Sequence, residues 1–289
     1  MTLRPCLPIA ALCLAASALA GCAGVAPLAA AEQARVAALL PADALLIGEQ
    51  HDADAHQRLQ RRVVGWLAAR GDLAALALEM AERGRGTAAL PASASDAQVR
   101  AALDWHDDGW PWSRYGPVVM TAVRAGVPVL GANLPRAQMR AAMQDATLDA
   151  RLPPQALAEQ DARIQAAHCN ALPTSQIRPM TRIQIARDRS MADTLVDARQ
   201  PGRTVVLITG GGHTHRQLGV PWHLPAGLKS NVLLALAESA HAATNSEASW
   251  HTVPAGALRE GDQVWRTAAP PPADHCAAFT RRAPAAPGQ

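Results

Sequence analysis

Four short apolar runs in this chain end on residues that can ligate, titrate or donate. Ile47-Gly48 leads into Glu49 and His51, Leu78 into Glu79, Ala132 into Asn133, and Ile208-Thr209 into Gly210-Gly211-Gly212-His213. Imidazole is the commonest metal donor, and a carboxylate beside it can serve as ligand or general base. His56 and His215 stand close by in sequence, although His215, two residues beyond His213, is placed to point away from it. The spacings match neither a HExxH helix nor a zinc finger, so any metal must be assembled from separate strand ends. A carboxylate that closes an apolar run is costly to bury alone. Glu79 therefore either accepts from loop amides or takes part in chemistry. The glycines at 210–212 lack the spacing of a dinucleotide fingerprint or a phosphate loop. They permit close approach of the backbone to a ligand or a neighbouring element.

A second concentration of chemistry lies at 105–117, Trp-His-Asp-Asp-Gly-Trp-Pro-Trp-Ser-Arg-Tyr-Gly-Pro, which holds three of the seven Trp and the sole Tyr. In a chain with 3% aromatic residues this clustering needs a cause. Either the segment plugs the end of a sheet or it meets a flat hydrophobic ligand, and Pro111 and Pro117 stiffen it as a presented loop. Met180, Gln184, Asp188 and Met191/Ala192 recur at three-to-four spacing and form one helical stripe. Met offers adaptable apolar contact, while Gln184 and Asp188 can orient a neighbour. The stripe either lines a cavity or lies half-covered by an adjacent helix.

Only parallel strands bring such exits to one edge. The apolar runs at 45–48, 73–79, 127–133, 204–209 and 232–237 read as strands. The three-to-four periodicity predicts helices over 52–70, 81–90, 96–105, 116–124, 136–144, 154–168 and 177–199. Strands apolar throughout and separated by helices predict an α/β fold: a mostly parallel sheet with helices on both faces, plus helical insertions. Ligands of open α/β sheets bind outside the carboxyl ends of the strands, where Glu49, Glu79, Asn133 and His213 stand. The composition, 49% hydrophobic and 18% charged over 289 residues, excludes a disordered chain and a multi-span membrane protein. Lys229 is the single lysine among 27 basic residues, a compositional bias and not a nucleic-acid signal.

Residues 1–21 read as a secretory signal, with Arg4 at its positive end and an apolar run too short to span a bilayer. Leu19-Ala20-Gly21-Cys22 resembles a bacterial lipobox, so Cys22 is expected to be acylated and to become the mature N-terminus. Ala23 in place of Asp then directs the lipoprotein to the outer membrane of a Gram-negative cell. Residues 22–40 form a tether and lead-in, 41–267 the α/β domain, and 268–289 an Ala/Pro-rich tail. Loss of the signal leaves 26 basic against 24 acidic groups, which nominates no charged partner. It also leaves Cys169 and Cys276 as the remaining thiols, able to join the tail to the body in an oxidising compartment.

Ile47-Gly48-Glu49-Gln50-His51, Leu78-Glu79-Met80, Trp112-Ser113-Arg114-Tyr115-Gly116-Pro117, Ala132-Asn133-Leu134-Pro135, the stripe from Gln184 to Ala192, and Gly210 to His213 followed by Gly219-Val220-Pro221 resemble, in that order, the ChaN-type haem-binding lipoproteins of the haem-uptake, Tiki superfamily. The resemblance spans about 45–225. It implies binding of haem, as ferric protoporphyrin IX, for iron acquisition or storage, with haems held in a homodimer and passed on or taken from an outer-membrane receptor. It makes Tyr115 the iron ligand. A phenolate suits ferric iron, and because iron must displace the phenol proton, affinity should weaken as pH falls. Trp110 and Trp112 would flank the porphyrin and Arg114 or Arg136 would pair with propionates. Asn133 and His213 complete the cofactor-facing set. All of this requires Tyr115 to face an open apolar cleft. The wider superfamily also resembles proteases and esterases, which implies an alternative: a metal-dependent hydrolase built on Glu49, His51, Glu79 and His213 with a divalent metal. A binding protein, not an enzyme, is the expected outcome.

Overall fold

The structure, a computed structural model, describes residues 26–238, 253–271 and 276–277. The expected signal at 1–21, Cys22 and the end of the tail lie outside them. Six strands form one sheet: β1 (Ala44–Glu49), β2 (Leu73–Glu82), β3 (Val129–Asn133), β4 (Thr204–Gly210), β5 (Ser230–Ala237) and β6 (Gln263–Thr267). Their order is β3-β2-β4-β1-β5-β6, and every neighbouring pair is parallel. The helices are α1 (Ala30–Ala37), α2 (Asp54–Ala69), α3 (Asp96–Ala102), α4 (Trp112–Arg124), α5 (Arg136–Gln144), α6 (Pro154–Ala167), α7 (Thr174–Asp197) and α8 (Val220–His223). This is the α/β fold with helices on both faces and helical insertions that the apolar pattern predicts.

Strand alternation divides the core. Leu45 and Ile47 of β1, Leu76 and Leu78 of β2, and Val206 and Ile208 of β4 pack against α2 and α4 through Leu59, Val63, Leu67, Val118 and Val119. The intervening Leu46, Ala77, Val205 and Leu207 pack against α7 through Met191 and Leu195, and against Val220. The chain thus leaves β1 over one face, by α2, and leaves β4 over the other, by α8. Crossovers that part in this way open a crevice at the carboxyl ends of two adjacent strands.

The local reading fails in four places. Residues 81–90 are not a helix: β2 stays extended to Glu82, and Gly86 then bridges Leu130 in antiparallel fashion. The backbone of Thr87 donates to Val129, and that of Gly131 donates to Arg85. These bonds to β3 satisfy groups that a helix would have satisfied internally. Helix α4 begins at Trp112 instead of Gly116, with the Trp112 backbone amide donating to Asp107 Oδ1 at 2.8 Å. Strand β6, an edge strand on β5, has too short an apolar run to stand out. Helix α1 lies in the stretch read as tether and lead-in. Cys169 and Cys276 form a disulfide across 107 residues, tying the tail to the turn between α6 and α7.

Gly131 shows how tightly the bend after β2 is built: a Cβ there would lie 2.0 Å from the Glu82 carbonyl oxygen. Gly131→Ala must therefore move backbone, and a loss of about 1–3 kcal/mol is expected, read as a lower denaturant midpoint with an unchanged slope.

Candidate functional site

Glu49 continues the alternation of Leu45 and Ile47, so its carboxylate points into the layer shared with α2 and α4. It is 2% exposed. Four donors meet it there. Tyr115 Oη of α4 donates to Oε1 at 2.6 Å, and His51 Nδ1 lies 2.8 Å from the same oxygen. Gln57 and Gln60, three apart on α2, donate to Oε2 at 2.7 and 2.5 Å. A carboxylate has about four lone-pair sites, and all are used. Since the carboxylate only accepts, His51 carries a proton on Nδ1, and its Nε2 faces Gly210, where a Cβ would come within 2.9 Å of it.

Glu79 has the opposite parity to Leu76 and Leu78, hence faces α7. Its Oε2 accepts from Thr209 Oγ1 and from the Gly210 amide, both at 2.7 Å, while His213 Nε2 lies 3.4 Å from Oε1. His213 Nδ1 meets Asp188 Oδ1 at 2.5 Å. The Gln184 amide nitrogen is 3.1 and 3.3 Å from the two ring nitrogens, so it lies over the imidazole instead of in line with one lone pair. Met191 Sδ lies 3.5 Å from Thr209 Oγ1. The α7 stripe thus does line this site.

The charges follow from the packing. Burial opposes the His213 imidazolium, but Glu79 and Asp188 on either side outweigh it and raise it to about 10. Burial opposes the Glu79 charge too, yet His213, His51 and the Gly210 amide hold it well below the ordinary carboxylate range. Burial, with the Glu79 charge, pushes Asp188 up to about 6. His51 is raised above the ordinary imidazole value: burial works against its charge, and the hydrogen bond to Glu49 and the charges of Glu79 and Glu49 prevail. Burial and the adjacent Glu49 charge push the Tyr115 phenol far above its usual range.

Because β4 lies between β1 and β2, Glu49 stands beside Gly210 in register, and the two Gly-x-x-His segments end side by side. A family model described as haem-binding uptake, Tiki superfamily, ChaN matches residues 35–224, which include every side chain of this cluster. The chain belongs to that family. Among solved structures, a ChaN of Campylobacter jejuni, described as binding haem cofacially, is 23% identical and aligns with a TM-score of 0.60 over 73% of this chain and 87% of its own. Its likeness establishes the fold. The type III effector HopBA1, at 16% identity, aligns with a TM-score of 0.36 over 79% of this chain and 88% of its own, too loosely to bear on function. A comparison with curated proteins finds no match.

Several residues that the ChaN resemblance turns toward a cofactor are held otherwise. Tyr115 faces no cleft: it is 0% exposed, bonded to Glu49 and boxed by Trp105 and Trp110 at ring distances of 6.1 and 5.9 Å. In this arrangement iron cannot reach its oxygen. Trp112 stacks edge-on against Trp105 and lies across Gly116, with its indole N–H on Asp96. Arg114 donates to the His51 carbonyl at 3.0 Å and to Asp54, so it fixes the loop after β1. The Asn133 amide ties down the Glu79 carbonyl. Arg136, whose side chain is 62% exposed, lies 3.8 Å from Glu82. His213 has both nitrogens occupied.

For the hydrolase set, Glu49, His51, Glu79 and His213 do converge. Among the described residues, however, no three His, Cys, Asp or Glu side chains are placed to share one ion. The carboxylate oxygens that would bind it already accept from protein donors. His56 bridges the Gln50 amide and Thr267, and the His215 ring accepts from the Gln217 amide. The sequence pattern missed Gln57 and Gln60. A polar pair three apart on the apolar face of α2, opposite a buried Glu, is the signal that could have found them.

His213 predicts a pH dependence. Its pKa is raised in the fold, so its stabilisation is complete below the ordinary value of 6.5 and disappears as pH rises through about 10. His213→Gln is expected to cost about 3–5 kcal/mol at neutral pH and to remove the alkaline decline of the wild-type Tm, as thermal melts across that range will show.

Proposed function

We propose that this protein binds haem, as ferric protoporphyrin IX, in iron acquisition or storage, and that it works as a homodimer tethered to the outer membrane through acylated Cys22. The observation that carries the reading is the family match over 35–224, since that span contains both half-sites at the sheet edge. The haem-bound Campylobacter jejuni ChaN supports it by fold. Cofacial binding in that protein is the reason for proposing two copies here, with an outer-membrane haem receptor as exchange partner. No helix among the described residues is long and apolar enough to cross a membrane, so the tether rests on the Leu19-Ala20-Gly21-Cys22 motif. When bound, haem would supply an iron that takes an axial donor from the protein. In this structure the Tyr115 hydroxyl is sealed against Glu49, while the His51 side chain beside it is 40% exposed.

A hydrolase has one observation in its favour, the meeting of two His and two Glu at one edge. Their saturated hydrogen bonding weighs against it, because the general base would be His51 alone.

Hemin titrated into the mature protein should give a saturable Soret shift and, by sedimentation, a dimer on loading. An unchanged Soret band at excess protein overturns the haem reading. Intact mass of membrane-extracted protein should begin at an acylated Cys22, and any other N-terminus removes the anchor.

A further inference from the structure

We propose that the face formed by the first turns of α2, with Arg58 and Arg61, beside the start of α1 and the end of β6, lies against the membrane and takes the phosphates of anionic phospholipid headgroups. The inference rests on the acylated Cys22 proposed above and says how the anchored domain sits on its leaflet.

The chain itself fixes the place. Ala26, Leu59 and Trp265 line a groove of about 450 Å³ together with Arg58, Arg62 and Thr267. The next two residues are pinned beside it. The Pro27 carbonyl accepts from Arg62 at 3.2 Å, the Leu28 carbonyl accepts from Gln33 at 2.8 Å, and the Leu28 side chain is buried in the layer shared with α2. Cys22 stands four residues before Ala26. At about 3.6 Å per residue it lies within about 14 Å of the groove, well short of the roughly 40 Å across a domain of this length. Acyl chains on Cys22 therefore bring this side of the domain to the bilayer.

What that side offers is positive charge without protein partners. Arg58 is exposed, and Arg61, three residues on and hence on the same side of α2, is half-buried. Among the described residues no hydrogen bond or ion pair engages either one. Arg35 of α1 lies over the Trp265 ring at 4.2 Å and adds a third cation at the rim of the groove. The acids nearby are already taken, Glu32 by Arg62 and Asp54 by Arg114. The near balance of charge over the whole mature chain thus conceals a local excess. Trp66, half-buried one turn beyond Arg62, continues the stripe, with the Arg70 guanidinium 4.5 Å from its ring centre. A surface helix that carries arginines with a tryptophan on its flank is suited to the headgroup layer. Guanidinium forks match phosphate oxygens bidentately. A single soluble phosphate would need its donors gathered around one point, whereas these cations are spread along the helix, as a sheet of headgroups requires.

The test is flotation of the mature chain carrying Cys22→Ser, which cannot be acylated, with vesicles of phosphatidylglycerol and phosphatidylethanolamine in equal parts, or of phosphatidylcholine alone. The protein should float with the first, lose that binding in high salt, and ignore the second. A basic residue near an anionic leaflet contributes about a fivefold gain in partition, so Arg58→Gln with Arg61→Gln should weaken binding about twenty-five-fold. Arg140→Gln, exposed on α5, which follows the opposite edge strand β3, should change it little. Binding that survives in the double variant, equal binding to both vesicles, or displacement by soluble glycerol phosphate at constant ionic strength overturns the inference. Intact mass of the membrane-extracted native protein reads the anchor separately. Failed flotation beside an acylated Cys22 removes the docking surface and leaves the anchor standing, whereas an N-terminus other than acylated Cys22 overturns the anchor reading, and this inference with it.

Discussion

A carboxylate buried at the end of β1 imposes the main constraint on this molecule. Glu49 cannot be taken out of water unless its lone pairs are filled, and three elements fill them: the strand exit with His51, α2 with Gln57 and Gln60, and, from 66 residues away, α4 with Tyr115. The packing of α2 against α4 on that face, the course of the aromatic segment, and the orientation of the His51 imidazole all serve to satisfy it. The sole tyrosine of the chain is spent inside that arrangement.

On the other face of the sheet the same problem has a different solution. Glu79 is neutralised by an imidazolium, and Asp188 of α7 holds that imidazolium from behind. One half-site is thus a carboxylate saturated with hydrogen-bond donors, the other a carboxylate–imidazolium–carboxylate cluster. His51 lies between them and feels Glu79 and His213 as well as Glu49. A ligand arriving at the sheet edge meets a polar, rigid floor whose groups are mostly already paired, so the few unpaired atoms decide what can be bound.

Much of the fold was legible because its causes are local. The uninterrupted apolar runs at 45–48 and 204–209 predict buried parallel strands, and the stripe on α7 announces its contacts with His213 and Thr209. The misread stretch at 81–90 has helical composition, but β3 supplies backbone partners for it, which no local pattern contains. The burial of Tyr115, expected at an open cleft, escaped the sequence for a similar reason. Its type suits ferric iron, yet its burial depends on Trp105, Trp110 and Glu49 closing around it.

By itself the sequence determined the α/β class, the polar residues at the strand exits and the family to which the chain belongs, since these rest on periodicity and on motif order along the chain. Only the tertiary structure decided which of those residues are buried and which partners each one meets. That depends on strand order, which sets β4 between β1 and β2, and on which donors reach each buried carboxylate first. Hydrogen-bond capacity is used up through space, and spacing along a chain does not record where it goes.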